Sequence, residues 1–158
     1  MGRELAVVWA GRHQRSNWEE ICDSYRKRIA RMAAVRDVPV RARAAPDDPQ
    51  RLKMEGQALL AALPPSAWSF ALDSRGNMLT SEQLAERLAR LIREWPHPIA
   101  FLIGSDLGLD QPVLAAARTV LSLGPLTLTH ELARVVLYEQ LYRALSIDAG
   151  MSYHREPL

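Results

Sequence analysis

Apolar residues recur along this chain in short continuous runs that alternate with longer stretches of helical period. The runs predict strands and the longer stretches predict helices, because the two structures bury their faces at different spacings. The predicted strands are Glu4–Ala10, Val35–Val40, Trp68–Asp73, Ile99–Ile103 and Thr119–Ser122. The predicted helices are Trp18 to about Met32, Pro49 to about Leu63, Thr80 to about Trp95, Asp110–Ala117 and His130–Asp148. This alternation predicts an α/β fold with a five-stranded, mainly parallel sheet flanked by helices.

Polar residues mark the predicted ends of these elements. Asn17 and Thr129 are suited to cap the first and last helices, because their side chains can accept a hydrogen bond from the first turn. Thr80 and Gln83 have the spacing of a capping box. Ser74–Asn77 predicts a turn directly after the third strand.

The length of 158 residues predicts a single domain spanning residues 1–158. Cys22 is the one cysteine, which excludes an internal disulfide and fits a reducing compartment. No apolar run approaches the roughly 20 residues that a membrane-spanning helix needs, and the N-terminal run has the pattern of a strand. We therefore expect a soluble, cytoplasmic protein.

Basic residues are concentrated in the first third of the chain. Residues 1–53 contain 12 lysines and arginines against 7 acids, whereas residues 54–158 contain 8 against 11. The basic residues crowd into one predicted helix and the segment after it, as Arg26, Lys27, Arg28, Arg31, Arg36, Arg41 and Arg43. A basic half-surface suits a polyanion. The alternative is an ordinary solvated helix face.

Three loops follow the predicted carboxyl ends of strands, where α/β sheets usually bind ligands. They are Leu72–Gly76, Leu102–Leu109 and Leu123–Leu128. Their glycines let backbone groups approach a ligand closely, and their apolar side chains suit an adenine ring. Gly104 and Gly108 do not form a dinucleotide-binding fingerprint, and each loop taken alone favours a structural turn.

The last predicted helix is followed by a short tail rich in reactive side chains. His130–Asp148 is apolar nearly all round, which predicts a helix buried in the core or against a second subunit. Glu139 and Arg143 within it have the spacing of a local ion pair. The tail Ser152–Glu156 groups a phenol, an imidazole and a guanidinium, although chain ends are usually disordered.

The three loops in this order, followed by the helix from His130, resemble the SPOUT class of methyltransferases and, within it, the RlmH family. That family methylates N3 of a pseudouridine in large-subunit ribosomal RNA. The resemblance implies a C-terminal trefoil knot, a homodimer through the last helix, and S-adenosyl-L-methionine as the cofactor. It implies cofactor contacts at Leu72, Gly104, Leu123, Gly124, Pro125, Leu126, Thr127 and Leu128. It implies catalytic roles for Arg143 and for the tail residues Tyr153, His154 and Arg155. His130 is a further catalytic candidate because it carries an imidazole, and the alternative is a residue that bonds locally in the first turn of the last helix.

Methyl transfer from a sulfonium requires no nucleophile from the protein, because the cofactor carries the difficult chemistry. The four histidines and the single cysteine lack metal-ligand spacing, and His13 and His97, which show no partner spacing, are expected at the surface. The protein has to align the acceptor nitrogen and remove its proton. Arg143 or Arg155 would favour the resulting anion, and His154 or His130 would accept the proton.

The second loop departs from the usual family pattern, because Ser105 stands where relatives have a second glycine and Asp106 and Leu107 precede Gly108. Three functions therefore stay open. The first is a methyltransferase for a pseudouridine in large-subunit ribosomal RNA, with the assembled ribosome as its expected substrate. Alternatively, it is a SPOUT methyltransferase that acts on another RNA, such as transfer RNA. The third alternative is a non-catalytic, ribosome-binding dimer that has lost the cofactor.

Overall fold

The computed structural model describes residues 4–41 and 44–155, and it confirms the predicted alternation of strands and helices. The strands are β1 Glu4–Ala10, β2 Ala34–Val40, β3 Trp68–Met78, β4 Ile99–Ile103 and β5 Thr119–Ser122. The helices are α1 Asn17–Ile29, α2 Asp48–Ala61, α3 Ser81–Glu94, α4 Gln111–Ala116 and α5 His130–Asp148. Arg43 and Glu156, which the sequence places in the basic segment and the tail, lie outside the described residues.

The strands form one sheet in the order β2-β1-β4-β3-β5, and every neighbouring pair is parallel. β4 lies at the centre, and all five of its residues are buried, as its continuous apolar run predicts. Alternate residues of β1 point to opposite faces of the sheet, so that Val7 packs with α1, α3 and α5, whereas Val8 packs with α2 and α4. The fold is therefore a three-layer α/β sandwich.

The first helix differs from its prediction at both ends. Ser16, and not Asn17, caps α1, because the Ser16 Oγ accepts a hydrogen bond from the Glu19 backbone N–H at 3.2 Å. The helix ends at Ile29, and the chain then turns before β2. Trp18 and Ile21 were expected on the buried face, but 41% and 40% of their surfaces are exposed.

The predicted turn at Ser74–Asn77 lies inside the long strand β3. Leu72 and Asn77 both pair with Leu121 of β5, so the residues between them bulge out of the ladder. A Cβ atom at Gly76 would meet the Val120 backbone at 2.6 Å, so glycine is required for this close approach. The sequence therefore indicated an interruption correctly, but pairing with β5 resumes after it.

The five-stranded parallel sheet with helices on both faces confirms the predicted architecture. No helix in the described ranges is both long and apolar enough to cross a membrane. The trefoil knot and the limits of the single domain stay predictions.

A buried ion-pair network joins α5 to α1 and β2. The Arg134 side chain is only 5% exposed, and its Nη1 lies 2.7 Å from Glu19 Oε2 on α1. Its Nη2 lies 2.8 Å from Asp37 Oδ2 on β2. The Asp37 carboxylate also accepts hydrogen bonds from Trp9 Nε1 at 2.9 Å and from the Tyr138 hydroxyl. Three separate elements thus converge on one carboxylate.

The network keeps the Glu19 carboxyl group ionised within the protein. Burial alone would raise the pKa of Glu19, but its bonds to Arg134 and Arg26 lower that pKa from 4.5 to about 2. Because the folded-state pKa is lower than the ordinary value, Glu19 contributes stability above about pH 4.5. This contribution is lost as the pH falls toward about 2. Burial also raises the pKa of the neighbouring Cys22 thiol to about 11, so Cys22 is an inert core residue.

Replacement of Arg134 by alanine should lower the free energy of unfolding by about 3 kcal/mol, because it leaves the Asp37 carboxylate buried without its cation. Urea denaturation at pH 7 measures this change. Arg93→Ala is the matched control, since Arg93 is exposed on α3 and forms no ion pair with a described residue. The control should change stability by less than about 0.5 kcal/mol. Equal stabilities of the two variants would contradict the anchoring role of Arg134.

Candidate functional site

A cleft of about 560 Å³ opens at the bulge of β3 and at the carboxyl ends of β4 and β5, and we call it the three-loop cleft. Its walls come from residues within 72–74, 103–109 and 123–133. These are the three loops that the sequence singles out. Of the predicted cofactor contacts, all but Pro125 line the cleft, namely Leu72, Gly104, Leu123, Gly124, Leu126, Thr127 and Leu128.

The second loop is closed tightly on itself. Ser105 and Gly108 form an isolated bridge, and a Cβ atom at Gly104 would overlap the Gly108 carbonyl oxygen. Glycine is therefore the one residue that fits at Gly104 without moving the loop. The left-handed conformation falls on Gly108, with φ of 76°, and Ser105 keeps a negative φ. The serine that departs from the family pattern is thus accommodated without backbone strain.

Side chains of α2 hold this loop from behind. The Ser105 hydroxyl lies 2.6 and 2.7 Å from the two carboxylate oxygens of the buried Glu55. Arg51 Nη2 lies 3.0 Å from Asp106 Oδ1, and this hydrogen bond lowers the pKa of Asp106. Ser105 and Asp106, which replace the usual glycine-rich sequence, therefore fasten the loop to a neighbouring helix.

The third loop leads from β5 directly into α5. Gly124 adopts a φ of 135°, and its N–H donates to Ser122 Oγ at 3.1 Å. Ser122 Oγ in turn donates to the Gly124 carbonyl at 3.0 Å, which fixes the start of the loop. Leu126 is 77% exposed, so its apolar side chain is available to a ligand or a partner. Thr129 caps α5 as predicted, since its Oγ1 accepts from the Leu132 N–H at 3.2 Å.

The cleft combines apolar walls with polar groups at its margin. Leucines of all three loops supply the walls. Asp73 stands near the start of the first loop, and its hydrogen bond with Arg75 lowers its pKa. This combination of apolar surface, accessible backbone and ionised carboxylates suits a ligand with an aromatic ring and a positively charged or hydroxylated part.

His130 stands at the boundary between two clefts. It is the first residue of α5, its side chain is half-buried, and its Nε2 lies 3.3 Å from Glu131 Oε1. Both residues line the three-loop cleft and also a neighbouring cleft formed by the loop after β1. Among the predicted catalytic residues, His130 is the one that lies at the three-loop cleft.

The tail folds back on α5 and α3 in a compact polar group. Arg143 Nη2 lies 2.6 Å from Glu139 Oε1, which confirms the predicted pair and raises the pKa of Arg143. The Tyr153 hydroxyl donates to the same oxygen at 3.2 Å. Burial, together with the nearby Tyr25 and Glu139, raises the pKa of Tyr153, so its phenol stays protonated at neutral pH. These contacts give the end of the chain a defined place.

His154 bridges the two helices in this group. Its Nδ1 lies 3.1 Å from Arg143 Nη1, and its Nε2 lies 2.8 Å from Glu82 Oε1. A guanidinium can only donate, so Nδ1 accepts the bond from Arg143 and Nε2 donates its hydrogen to Glu82. This assignment describes a neutral imidazole. To take a proton from a substrate, Nδ1 has to leave Arg143.

The predicted catalytic residues therefore fall into two groups within one subunit. Arg143, Tyr153 and His154 form the tail group, which shares no lining residue with the three-loop cleft. Arg155 is exposed and has no hydrogen-bonding partner among the residues that the structure describes. A smaller hollow of about 370 Å³ lies beside the tail group and shares Leu123 and Gly124 with the three-loop cleft.

His13 is exposed at the surface as expected, and its two ring nitrogens each contact a carboxylate. Its Nδ1 lies 3.3 Å from Glu19, and its Nε2 lies 3.3 Å from Asp37. One ligand atom from each of these three residues lies within 4.8 Å of the others. Both carboxylates already bind the Arg134 guanidinium, so the group is an ion-pair network with its charge compensated. Sequence spacing does not indicate this network, because Arg134 lies 97 residues from Asp37 along the chain.

Most of the predicted basic patch is engaged in internal contacts. Arg26 belongs to the Glu19 network, Lys27 pairs with Asp23, and Arg36 pairs with Glu4. Arg28 lies over the rings of Tyr25 and Tyr142. These contacts involve most of the basic side chains of the patch, whereas the exposed Arg31 and Arg41 have no side-chain ion pair or hydrogen bond with another described residue.

Comparison with known proteins identifies the family. Residues 4–154 match the family model described as predicted SPOUT methyltransferase. The chain is 41% identical over 152 residues to the ribosomal RNA large subunit methyltransferase H of Solidesulfovibrio magneticus, which covers 96% of this chain and 99% of the relative.

Solved structures show the same fold at lower identity. A putative methylase family protein from Neisseria gonorrhoeae has a TM-score of 0.56 and 15% identity, with 99% of this chain and 88% of that chain covered. The SpoU methyltransferase AviRb from Streptomyces viridochromogenes, solved in complex with the cofactor AdoMet, has a TM-score of 0.51 and 16% identity. The match covers 96% of this chain and 60% of that one. With the full-length family match and the three-loop cleft, these likenesses establish that the chain belongs to the SPOUT methyltransferases, in the RlmH family.

Proposed function

We propose that this protein uses S-adenosyl-L-methionine to methylate large-subunit ribosomal RNA, at N3 of a pseudouridine, in the assembled ribosome. The observation that carries the proposal is the convergence of the three family loops on one cleft. That cleft lies in a chain that resembles a large-subunit methyltransferase along nearly its whole length.

The three-loop cleft fits this cofactor in size and chemistry. Its volume of about 560 Å³ lies within the range of pockets that enclose ligands of this size. Leu72, Leu109 and Leu128 would flank the adenine ring, and the Gly104 and Gly124 backbones would supply hydrogen bonds. When bound there, the cofactor supplies an electrophilic methyl group.

The residues of this chain would then manage the acceptor. N3 of a pseudouridine carries a proton, which has to leave for the nitrogen to attack the methyl group. His130 lies at the margin of the three-loop cleft, where an imidazole is well placed to accept that proton. A guanidinium beside the base would stabilise the anion that forms, and Arg143 and Arg155 are the candidates for this role.

A second copy of the chain would bring the tail group to the cleft. Within one subunit, Arg143, Tyr153 and His154 lie apart from His130. Leu132, Val135 and Val136 on α5 are only partly buried, which leaves apolar surface on the helix between the two groups. A homodimer formed through α5 would cover this surface and complete the active site with the partner's tail.

The alternative of a non-catalytic dimer rests on the altered second loop. That loop keeps the glycine at position 104 and the left-handed glycine at position 108, and Glu55 and Arg51 hold the substituted residues in place. These contacts favour an intact cofactor site. Within residues 4–41 and 44–155, no contact favours transfer RNA over ribosomal RNA.

Gly104→Val should abolish cofactor binding and methyl transfer, because the added side chain displaces the backbone of the second loop. Calorimetry with S-adenosylmethionine measures the first effect. Nucleoside mass spectrometry of ribosomal and transfer RNA, from a deletion strain that carries wild-type or variant protein, measures the second. Ala115→Val is the control, since Ala115 is exposed on α4. Unchanged affinity of Gly104→Val for S-adenosylmethionine would refute the cofactor site. A methyl group that the Gly104→Val strain lacks only in transfer RNA would refute ribosomal RNA as the substrate.

Sedimentation at micromolar concentration should give a mass twice that of the 17.7 kDa chain, because a monomer leaves the apolar side of α5 in water. Val136→Glu should shift the protein toward the monomer, since a dimer would bury the added charge. Glu86→Gln, an exposed change on α3, serves as the control. A wild-type protein that sediments as a monomer would contradict the completed active site.

Deletion of residues 153–158 should preserve the fold and the cofactor affinity but remove methyl transfer, because the tail group lies outside the three-loop cleft. Single variants separate the roles. Arg155→Ala should lose activity that higher pH partly restores, if Arg155 stabilises the anion. His154→Ala should flatten the pH profile if His154 accepts the proton, and Tyr153→Phe should be mild. Full activity of the truncated protein on ribosomes would leave His130 as the base.

A further inference from the structure

A second cleft of about 410 Å³ adjoins the three-loop cleft, and we call it the arginine cleft. The loop after β1 forms one wall with Arg12 and Gln14, and the start of α1 adds Trp18. Arg41, directly after β2, stands on the other side. Because β1 and β2 are parallel neighbours, this cleft lies at the same edge of the sheet as the three-loop cleft.

The two outer arginines of this cleft carry uncompensated charge. Arg12 and Arg41 are both exposed, and neither has an ion pair or a hydrogen bond with any residue in the described part of the chain. This distinguishes them from Arg26 and Arg36, whose charges are paired with acids. Two free guanidiniums on one cleft form a site for anionic groups.

The acids of the cleft do not cancel this charge. Glu19 is bonded to Arg134 and Arg26, and these bonds already balance its charge. Glu131 stands beside His130 at the boundary with the three-loop cleft. The outer part of the arginine cleft therefore keeps its positive potential.

Trp18 adds an aromatic surface to the same cleft. It is 41% exposed, although it stands on a helix whose Cys22 and Ile29 are fully buried. An indole face beside free guanidiniums is the combination that binds single-stranded nucleic acid. The aromatic ring stacks on a base while the cations contact phosphates. A phosphate ion or an acidic peptide would use the arginines and leave the indole unused.

The two clefts share His130 and Glu131 as a common wall. An RNA strand in the arginine cleft would therefore pass directly beside the place where the methyl group is presented. We propose that the arginine cleft binds the RNA strand next to the acceptor nucleotide, with Arg12 and Arg41 on its phosphates and Trp18 stacked on an unpaired base. This inference rests on the proposed function and assigns its substrate-binding surface.

The test compares Arg12→Ala, Arg41→Ala and Trp18→Ala with Arg93→Ala as the control. Arg93 is also an exposed arginine without a described ion pair, but it lies at the end of α3 that precedes β4, on the opposite edge of the sheet. Each variant is assayed for methyl transfer to large ribosomal subunits, and for binding to those subunits at several salt concentrations. Calorimetry with S-adenosylmethionine and sedimentation show whether the cofactor site and the oligomer are unchanged.

The two kinds of variant should behave differently. Each arginine variant should raise KM for the subunits about tenfold, with kcat and cofactor affinity retained, because a charge-assisted bond to a phosphate is lost. Each should also lower the slope of log affinity against log salt by about 0.7 to 0.9. Trp18→Ala should weaken binding at least about fivefold without changing that slope, since stacking releases no counterion.

Arginine variants that match Arg93→Ala in KM and in salt slope, in a wild type that methylates ribosomal RNA, would overturn this inference. A variant that changes the sedimentation of the protein would also overturn it, because the cleft would then be a contact between subunits. A wild type that methylates no ribosomal RNA would refute the proposed function instead. The salt slopes would still decide whether the cleft binds RNA.

Discussion

The bonds of Arg134 to Asp37 and Glu19 fix the first turn of α5, on which both clefts depend. Arg134 lies one helical turn after His130, and its guanidinium also lies over the Trp9 ring at 4.0 Å. The turn that carries His130 and Glu131 is thus tied to β1, β2 and α1 at once. A neutral residue of similar size would also pack there. It would not form the bonds to Glu19 and Asp37 that hold α1 and β2 in place against α5.

The three-loop cleft shows how parallel strands assemble a site from distant parts of a sequence. β3, β4 and β5 end at one edge of the sheet, so their loops meet although they are separated along the chain. Each loop has its own local constraint. Gly76 follows a bulge, Gly104 touches Gly108, and Ser122 holds Gly124. These local constraints therefore make the cleft a preformed site.

Much of the architecture was predictable from sequence where a pattern was continuous and local. Ile99–Ile103 and His130–Asp148 are confirmed residue for residue, because a run of apolar residues and a good cap each define an element without help from other parts of the chain. The capping residue of α1 was not predictable in the same way, since Ser16 and Asn17 are both good caps and the choice depends on the backbone before them.

Long-range contacts were not predictable in the same way. The bonds between Asp37 and Arg134 join residues 97 positions apart. The same Asp37 carboxylate also contacts His13 and Arg26. The continuation of β3 depends on β5, which lies more than 40 residues later along the chain. The position of His154 likewise depends on contacts with both α3 and α5, which helical periodicity does not describe.

If the three loops bind the cofactor and the arginine cleft binds RNA on the other side of the first turn of α5, the cofactor alone should protect the three-loop cleft and leave the arginine cleft unchanged. Hydrogen exchange with and without S-adenosylhomocysteine, the product form of the cofactor, tests this claim most directly. The account predicts slower exchange at the backbone amides of residues 104–109 and 123–131, and unchanged exchange at residues 12–18. Slower exchange at residues 12–18 alone, or unchanged exchange in all of these segments, would contradict it.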